Sequence, residues 1–351
     1  MIRRHTSAIL ALGVAASAVG AQSAPNALQR LTTLDQKARD EIERGAAIAI
    51  TVESPDKNEI ATLGVVRLEV PRAFYVDHVK QLAGFLVSSG SSSGSFSDPA
   101  KLEDVATLSL DPSDVKELEK CQPLKCDVKL SAGEMERFRS QLAKSHDPLP
   151  LADSLMREWL VSYVNAYRAD STEETVVYDD SKRPVRSSEA FRALVAEPMP
   201  PGIDADPFGY MLSVPRAARP PEVASLISWE IDRMPGLKPI LEVVERSTYA
   251  SPARPDESWM STKLLYASHY FESQVDFLTV SDAPTAAGRG ASYLVVLRRQ
   301  KFDDLPSGGL FNIRGKAVKK LRESLRATLA STRVAIATAY TASSTPPPHV
   351  P

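Results

Sequence analysis

Neither sign of charge dominates this sequence, and no long apolar run follows its N-terminus. Its 42 basic and 44 acidic side chains leave a formal net charge of −2. Nucleic acids and anionic membranes attract proteins with a strong positive excess, so this balance gives no long-range pull towards either. The downstream apolar runs are shorter than the roughly 20 residues that a helix needs to cross a bilayer. We therefore expect no nucleic-acid partner and no transmembrane segment in the mature chain.

The sequence also lacks the motifs that identify common cofactor and metal sites. It contains no P-loop, no dinucleotide-binding G-x-G-x-x-G, no H-E-x-x-H and no calcium loop. A formal G-x-S-x-G match at residues 90–94 lies in a Ser/Gly-rich stretch, which produces this pattern by composition alone. We expect no cofactor, no metal ion and no catalytic residue. A hydrolase would instead require His146 or His269 to meet a carboxylate and a hydroxyl in a polar cleft.

Only two cysteines are present, and the N-terminus indicates the compartment in which they fold. Two arginines precede an apolar segment at residues 8–18, and residues 19–21 (VGA) have the small-residue pattern of a cleavage site. Residues 1–21 are therefore predicted to be a signal peptide, and the protein to be periplasmic or secreted. In such an oxidising compartment an even cysteine count favours a disulfide, so we expect Cys121 to pair with Cys126.

Composition divides the rest of the chain into two regions and a tail. Residues 26–150 are expected to form an N-terminal α+β region with a flexible Ser/Gly linker at 88–97. Residues 151–338 are expected to form a second α+β region, and the Pro-rich residues 339–351 a disordered tail. Apolar spacing predicts helices at residues 26–44, 74–86, 131–142, 153–170, 187–196, 208–214 and 222–233. Strands are predicted at residues 46–52, 60–70, 108–110, 175–178 and 239–249.

The clearest pattern lies between residues 259 and 337. Three strands rich in aromatic and branched side chains are predicted there, at residues 263–271, 275–280 and 292–299. From Gly315 the period changes to that of a helix, whose apolar positions are Val318, Leu321, Leu325 and Leu329. The expected fold class is α+β, an antiparallel sheet packed by helices and ending in a long C-terminal helix.

Three sequence blocks resemble those of uncharacterised exported bacterial proteins. They are residues 121–130 (CQPLKCDVKL), 156–167 (MREWLVSYVNAY) and 263–271 (KLLYASHYF). That resemblance implies no known activity. Separately, antiparallel strands followed by one long helix, over residues 239–337, resemble the helix-grip arrangement of START and Bet v 1-like domains. This second resemblance implies an apolar cavity between the sheet and the helix.

The candidate binding residues lie on the first of these strands and on the helix. Tyr266 and Tyr270 are expected to share one face of the strand, and His269 to lie on the other. Leu321 and Leu325 lie on the apolar side of the helix. We expect these five side chains to line a cavity for an apolar or amphipathic small molecule or lipid.

An alternative hypothesis is a module that docks an envelope protein partner. It would use an exposed aromatic patch or the basic residues of the last helix. Those basic residues are Lys316, Lys319, Lys320, Arg322 and Arg326.

Overall fold

One antiparallel sheet of eight strands organises the molecule. The computed structural model describes residues 26–80, 92–169, 176–213, 218–233, 236–285, 290–305 and 313–344. The sheet consists of β1 (Ile48–Val52), β2 (Glu59–Leu68), β3 (Ser92–Ser95), β6 (Ala224–Asp232), β7 (Ile240–Tyr249), β8 (Glu257–Ala267), β9 (Phe271–Ala283) and β10 (Ala291–Phe302). Its strand order is β1-β2-β10-β9-β8-β7-β6-β3. A separate two-stranded ladder pairs β4 (Val177–Tyr178) with β5 (Val185–Arg186).

Helices cover both faces of this sheet. They are α1 (Ala27–Arg30), α2 (Gln36–Glu43), α3 (Arg72–Val79), α4 (Pro112–Leu118), α5 (Ala132–Leu142), α6 (Pro148–Ala169), α7 (Ser187–Ala196), α8 (Asp206–Leu212) and α9 (Ile313–Ser344). On one face α9 packs on β1 and β2, and α3 packs on β8 and β9. The other seven described helices, including α6, pack on the opposite face. In the part of the chain that the structure describes, no helix has both the length and the hydrophobicity to span a bilayer.

Side-chain alternation explains why the sheet is covered twice. In β2, Leu63 and Val65 belong to the core under α1 and α2, whereas Val66 and Leu68 belong to the core under α3 and α9. Successive residues of a strand point to opposite faces, so a strand apolar at every position needs a cover on each side. The α+β fold with a long C-terminal helix is confirmed.

The sheet curves around the first half of α9. Arg314 of α9 donates hydrogen bonds to the backbone oxygens of Lys57 and Glu59, at the turn before β2, with N–O distances of 2.9 and 3.2 Å. A side chain added at Gly236, in the turn between β6 and β7, would lie 3.5 Å from Lys320 Nζ of the same helix. These turns belong to strands far apart in the sheet order, so the sheet must wrap towards the helix to reach both.

The helix predicted at residues 222–233 is wrong, because this segment forms strand β6. Ile227, Trp229 and Ile231 point to one side and are buried. Ser228, Glu230 and Asp232 alternate with them and pair with β7 in register. The same apolar positions also fit a helical spacing, and pairing with β7 decides for the strand.

Three further expectations need correction. Residues 26–44 form two helices, because the Asp35 side chain caps α2 by accepting a hydrogen bond from the Ala38 backbone. No strand forms at residues 108–110, where the Leu110 backbone N–H donates to Asp153 and the Leu108 oxygen accepts from Arg157.

The third correction concerns the Ser/Gly linker, part of which is the edge strand β3, paired with β6. Residues 88–91 lie outside the described residues, as do residues 81–86 of the helix predicted after β2 and the signal peptide at residues 1–21. Helix α9 continues to Ser344, so the predicted tail begins later than residue 339, and residues 345–351 lie outside the described residues.

The Cys121–Cys126 disulfide is confirmed. It closes a tight loop in which Leu124 adopts a positive φ of 66°. The Leu124 backbone N–H donates to the Asp179 oxygen at 2.6 Å, and the Cys126 N–H donates to the Asp180 oxygen at 3.2 Å. The disulfide therefore fixes this loop against the turn between β4 and β5.

Candidate functional site

A row of polar side chains crosses the sheet on the face that α9 covers. In hydrogen-bonded register, Thr62 of β2 pairs with Arg298 of β10, and Arg298 pairs with Asp276 of β9. Asp276 pairs in turn with Thr262 of β8, and Thr262 with Arg246 of β7. We call these five residues the polar row. Five neighbouring strands each contribute one polar side chain to it at an inward-facing position.

The polar row separates two apolar patches under α9. The Leu321 patch contains Ile60, Ile240, Val244, Leu264, Ala267, Phe271, Phe302 and Leu305, with Val318 and Leu321 of α9 packed against them. The Leu329 patch contains Val66, Met260, Leu278, Val280, Leu294, Val296 and, from α9, Leu325 and Leu329. The face between the sheet and α9 is therefore amphipathic, with apolar surface on both sides of a charged band.

Both arginines of the polar row have acidic partners. Arg298 makes a bidentate pair with Asp276, with N–O distances of 2.8 and 2.6 Å. Arg246 donates to Ser228 Oγ and, at 2.9 Å, to Glu230 Oε1 on β6. The fork of a guanidinium matches a carboxylate in this way, so the positive charge of each arginine is compensated inside the protein.

Two further carboxyl groups on the same face have no such cation. Glu242 of β7 lies opposite Glu230 in the ladder and is only 6% exposed. Asp232 lies at the end of β6, two positions beyond Glu230. Within the described ranges, neither side chain forms an ion pair with a lysine or an arginine.

The pKa values of both carboxyl groups are raised. Burial raises the pKa of Glu242 well above its ordinary value, and the nearby carboxyl groups of Glu230 and Asp232 add to the increase. Burial also raises the pKa of Asp232, against the opposing influence of Arg298. Burial disfavours the charged form of a carboxyl group, and adjacent carboxylates do so as well.

Unpartnered polar atoms face the same space. The hydroxyl oxygen of Thr62, a member of the polar row, is buried and has no hydrogen-bond partner among the described residues. Gln300 Oε1, on the α9-facing side of β10, is likewise buried without a hydrogen-bond partner among the described residues. The other amide atom, Gln300 Nε2, donates to Gln274 Oε1 at 2.7 Å. A buried polar group without a partner costs about 1–3 kcal/mol, so such groups call for a ligand or ordered water.

Arg298 indicates that open space lies above the polar row. Its strand β10 lies between β2 and β9 in the interior of the sheet, and helices cover both faces. Its side chain nevertheless keeps 21% of its accessible surface. A side chain on an inner strand under a helical layer can retain that exposure only if the layer leaves a gap above it.

The structure does not bring the five predicted site residues together. Strand β8 ends at Ala267, and residues 268–270 form the turn to β9, in which Tyr270 has a positive φ of 62°. The expectation that Tyr266 and Tyr270 share one strand face is therefore wrong. Leu321 and Tyr270 meet in the Leu321 patch, whereas Leu325 lies in the Leu329 patch.

Tyr266 and His269 lie away from α9. Tyr266 packs against the rings of Trp159 and Tyr178 on the opposite face. The His269 ring contacts the Asp127 backbone oxygen at 2.9 Å through Nδ1 and the Asp114 carboxylate at 3.0 Å through Nε2. With both nitrogens engaged and the side chain buried, His269 anchors the β8–β9 turn to α4 and the disulfide loop.

No protein-family model and no curated protein matches the chain.

The polar row was missed from the sequence, although a signal for it is present. In residues 275–280 (VDFLTV), Asp276 stands on the same side of the alternation as Leu278 and Val280, a side that is otherwise apolar. Arg298 interrupts residues 292–299 (SYLVVLRR) in the same manner. Each interruption resembles a strand end when read alone. Only strand register places them next to each other.

Proposed function

We propose that this protein is an exported binding protein that holds a small amphipathic molecule between the curved sheet and α9. The observation that carries the proposal is the polar row with the unpartnered hydroxyl of Thr62, lying between two apolar patches. An amphipathic molecule could place its polar group on the row and its apolar part against the Leu321 patch. Binding sites for small molecules typically combine such apolar walls with a few convergent polar groups.

Export is part of the same proposal and is supported by the sequence pattern of residues 1–21. The Cys121–Cys126 disulfide suits an oxidising compartment. The ligand differs in kind from the purely apolar one that the helix-grip resemblance implies, because the inward face of the sheet is charged at its middle.

Native mass spectrometry of the protein purified from its own host tests the proposal. Wild-type protein is expected to retain a small molecule. Thr62→Val removes the unpartnered hydroxyl from the polar row at nearly constant volume, so retention should weaken by about threefold to tenfold, the equivalent of one hydrogen bond.

Ser261→Ala is the matched control for Thr62→Val. Ser261 lies on β8, its hydroxyl is also buried without a partner among the described residues, and its side chain points to the opposite face of the sheet. Ser261→Ala should leave retention unchanged. Wild-type protein that retains nothing, and that binds no added amphiphile, would refute the proposed function and favour the docking-module alternative.

A further inference from the structure

Two buried polar atoms at the β2 end of the polar row identify the ligand chemistry more closely. Thr62 of β2 is 1% exposed and Gln300 of β10 is 3% exposed, and neither the Thr62 hydroxyl nor Gln300 Oε1 has a hydrogen-bond partner among the described residues. In the ladder between these strands Thr62 pairs with Arg298 and Gln300 pairs with Ile60. Thr62 and Gln300 are therefore diagonal neighbours, about 7–8 Å apart, so one small polar group can reach both.

The charges at this end of the row are already balanced. Arg298 donates to the Asp276 carboxylate from Nε at 2.8 Å and from Nη2 at 2.6 Å. Its third nitrogen, Nη1, makes no hydrogen bond to any residue that the structure describes, and the side chain keeps 21% of its accessible surface. The protein thus presents one amide acceptor, one hydroxyl and one N–H donor, and these groups carry no net charge together with Asp276.

From this arrangement we propose that the polar group of the ligand is an uncharged hydroxyl, as in a long-chain alcohol or a glycerol ester. Its O–H donates to Gln300 Oε1, and its oxygen accepts from Thr62 Oγ1 or from Arg298 Nη1. This inference rests on the proposed function, since it names the head group bound at the same site. A carboxylate has no proton to donate to Gln300, and a quaternary ammonium group neither donates nor accepts a hydrogen bond.

The seating of α9 closes one side of this position. Gly64 lies two residues beyond Thr62 on β2, and Leu325 and Leu329 of α9 lie so close over it that an added Cβ would clash with both. These two leucines are completely buried. An alkyl chain bound at Thr62 therefore has no room in the direction of the Leu329 patch.

The other side offers an apolar surface under a looser part of the helix. Ile60 and Phe302, the next inward-facing residues after Thr62 and Gln300, belong to the Leu321 patch. Val318 and Leu321, the helix residues packed against this patch, are only half-buried. The alkyl chain of the ligand therefore extends from the head group along the Leu321 patch.

Four amphiphiles with the same ten-carbon chain test the inference by isothermal titration below their aggregation concentrations. They are 1-decanol, its methyl ether, decanoate and decyltrimethylammonium. We expect 1-decanol to bind most tightly. The methyl ether should bind about tenfold more weakly, because an ether cannot donate a hydrogen bond and leaves Gln300 Oε1 without a partner.

Gln300→Met removes the amide and keeps the length of the side chain. In this variant 1-decanol and its methyl ether should bind with affinities within about twofold of each other. The comparison is a ratio within one folded protein, so a general loss of stability does not produce it. Ser273→Ala is the control, since it removes a buried hydroxyl without a described partner from the opposite face of β9. It should keep the wild-type preference for 1-decanol.

Equal binding of 1-decanol and its methyl ether to wild-type protein would overturn this inference while the proposed function stands. Tightest binding of decanoate or decyltrimethylammonium, or an unchanged preference for 1-decanol in Gln300→Met, would have the same consequence. If none of the four amphiphiles binds, the proposed function fails as well.

Discussion

Glu242 holds a carboxyl group where water is largely excluded and no described lysine or arginine forms an ion pair with it. The charged groups that act on it are Glu230 and Asp232 on the adjoining strand β6, Asp276 on β9 and Arg298 on β10. Three of these four groups are acidic, and burial is the largest influence on the glutamate. The raised pKa means that the empty protein keeps a proton on Glu242 under conditions in which an exposed glutamate is ionised.

This retained proton makes stability depend on pH in a defined direction. An unfolded glutamate releases its proton near its ordinary pKa of 4.5, whereas folded Glu242 releases it at higher pH because its pKa is raised. The contribution of Glu242 to stability is therefore fully present below that value and is lost as pH rises through the raised pKa. Glu242→Gln should be more stable than wild type at pH 8 by about 1–3 kcal/mol, and equally stable at pH 4.

Urea unfolding of both proteins at the two pH values measures this difference. The comparison between wild type and variant isolates Glu242, since other buried acids such as Asp180 and Glu272 also have a raised pKa and remain in both proteins. A variant that is less stable than wild type at pH 8 would show that the ionised carboxylate is stabilised in a way the structure does not explain.

His269 illustrates a residue whose chemistry serves the fold. Replacing it by alanine removes two hydrogen bonds and leaves the buried Asp114 carboxylate short of a partner. We expect His269→Ala to lower the free energy of unfolding by about 2–4 kcal/mol and to leave amphiphile affinity unchanged. His146 is exposed, and His146→Ala is the neutral control. Loss of amphiphile affinity in folded His269→Ala would restore His269 to the candidate site.

At the scale of elements, the seating of α9 on β2 depends on a residue without a side chain. A Cβ added at Gly64 would lie 2.6 Å from Leu329 Cδ1 and 2.9 Å from Leu325 Cδ2. Both leucines are completely buried. Two parts of α9 therefore differ in their surroundings: the part carrying Leu325 and Leu329 lies tight on β2, whereas the part carrying Val318 and Leu321 packs against the Leu321 patch.

Gly64→Ala tests this seating. The added methyl group should push the leucines away from β2 and cost about 1–3 kcal/mol of stability. Combining it with Leu329→Val should cost less than the sum of the two single changes, because the shorter side chain makes room. Thermal unfolding measures all three variants.

Gly133→Ala provides the comparison for Gly64→Ala. Gly133 lies in α5, and an added Cβ there would meet nothing within 4 Å. This substitution should raise stability by about 0.5–1 kcal/mol, since alanine is the better helix former. An equal effect at the two glycines would mean that α9 is not seated closely on β2.

Elements with one dominant period could be predicted, and elements that fit two periods could not. Helix α6 has a long apolar and aromatic side at helical spacing, and its prediction at residues 153–170 is confirmed with a start five residues earlier, at Pro148. The sequence of β6 fits both the helical period and the alternation of a strand, so pairing with β7 decided that the segment forms a strand. The polar row is one step further removed, since it exists only when five strands are aligned. Local pattern contains no information on that register.

At the scale of the whole molecule, the two regions expected from composition contribute to one sheet. β1, β2 and β3 come from residues 26–150, and β6 to β10 come from residues 151–338. β2 is hydrogen-bonded to β1 on one side and to β10 on the other. A change in the first region should therefore be felt in the second.

Leu68→Ala tests this coupling. Leu68 lies in β2, is 1% exposed and packs in the Leu329 patch, while all three tryptophans lie beyond residue 150. Removal of its buried side chain should cost about 2–5 kcal/mol. The urea midpoint reported by tryptophan fluorescence should fall together with the midpoint reported by circular dichroism. An unchanged fluorescence midpoint would indicate two independently folding domains.

The pairing of β2 with β10 also governs when the chain can fold. Beside this ladder, Ser292 Oγ donates to the Val70 backbone oxygen, a contact between residues 222 positions apart. During synthesis β2 emerges long before β10 exists, and β1 can satisfy only one of its edges. Contacts of such separation carry a large loop-closure cost and slow folding. The second edge of the apolar strand β2 must stay unpaired throughout that delay. This makes β2 the segment of the chain that most needs protection by a holding chaperone.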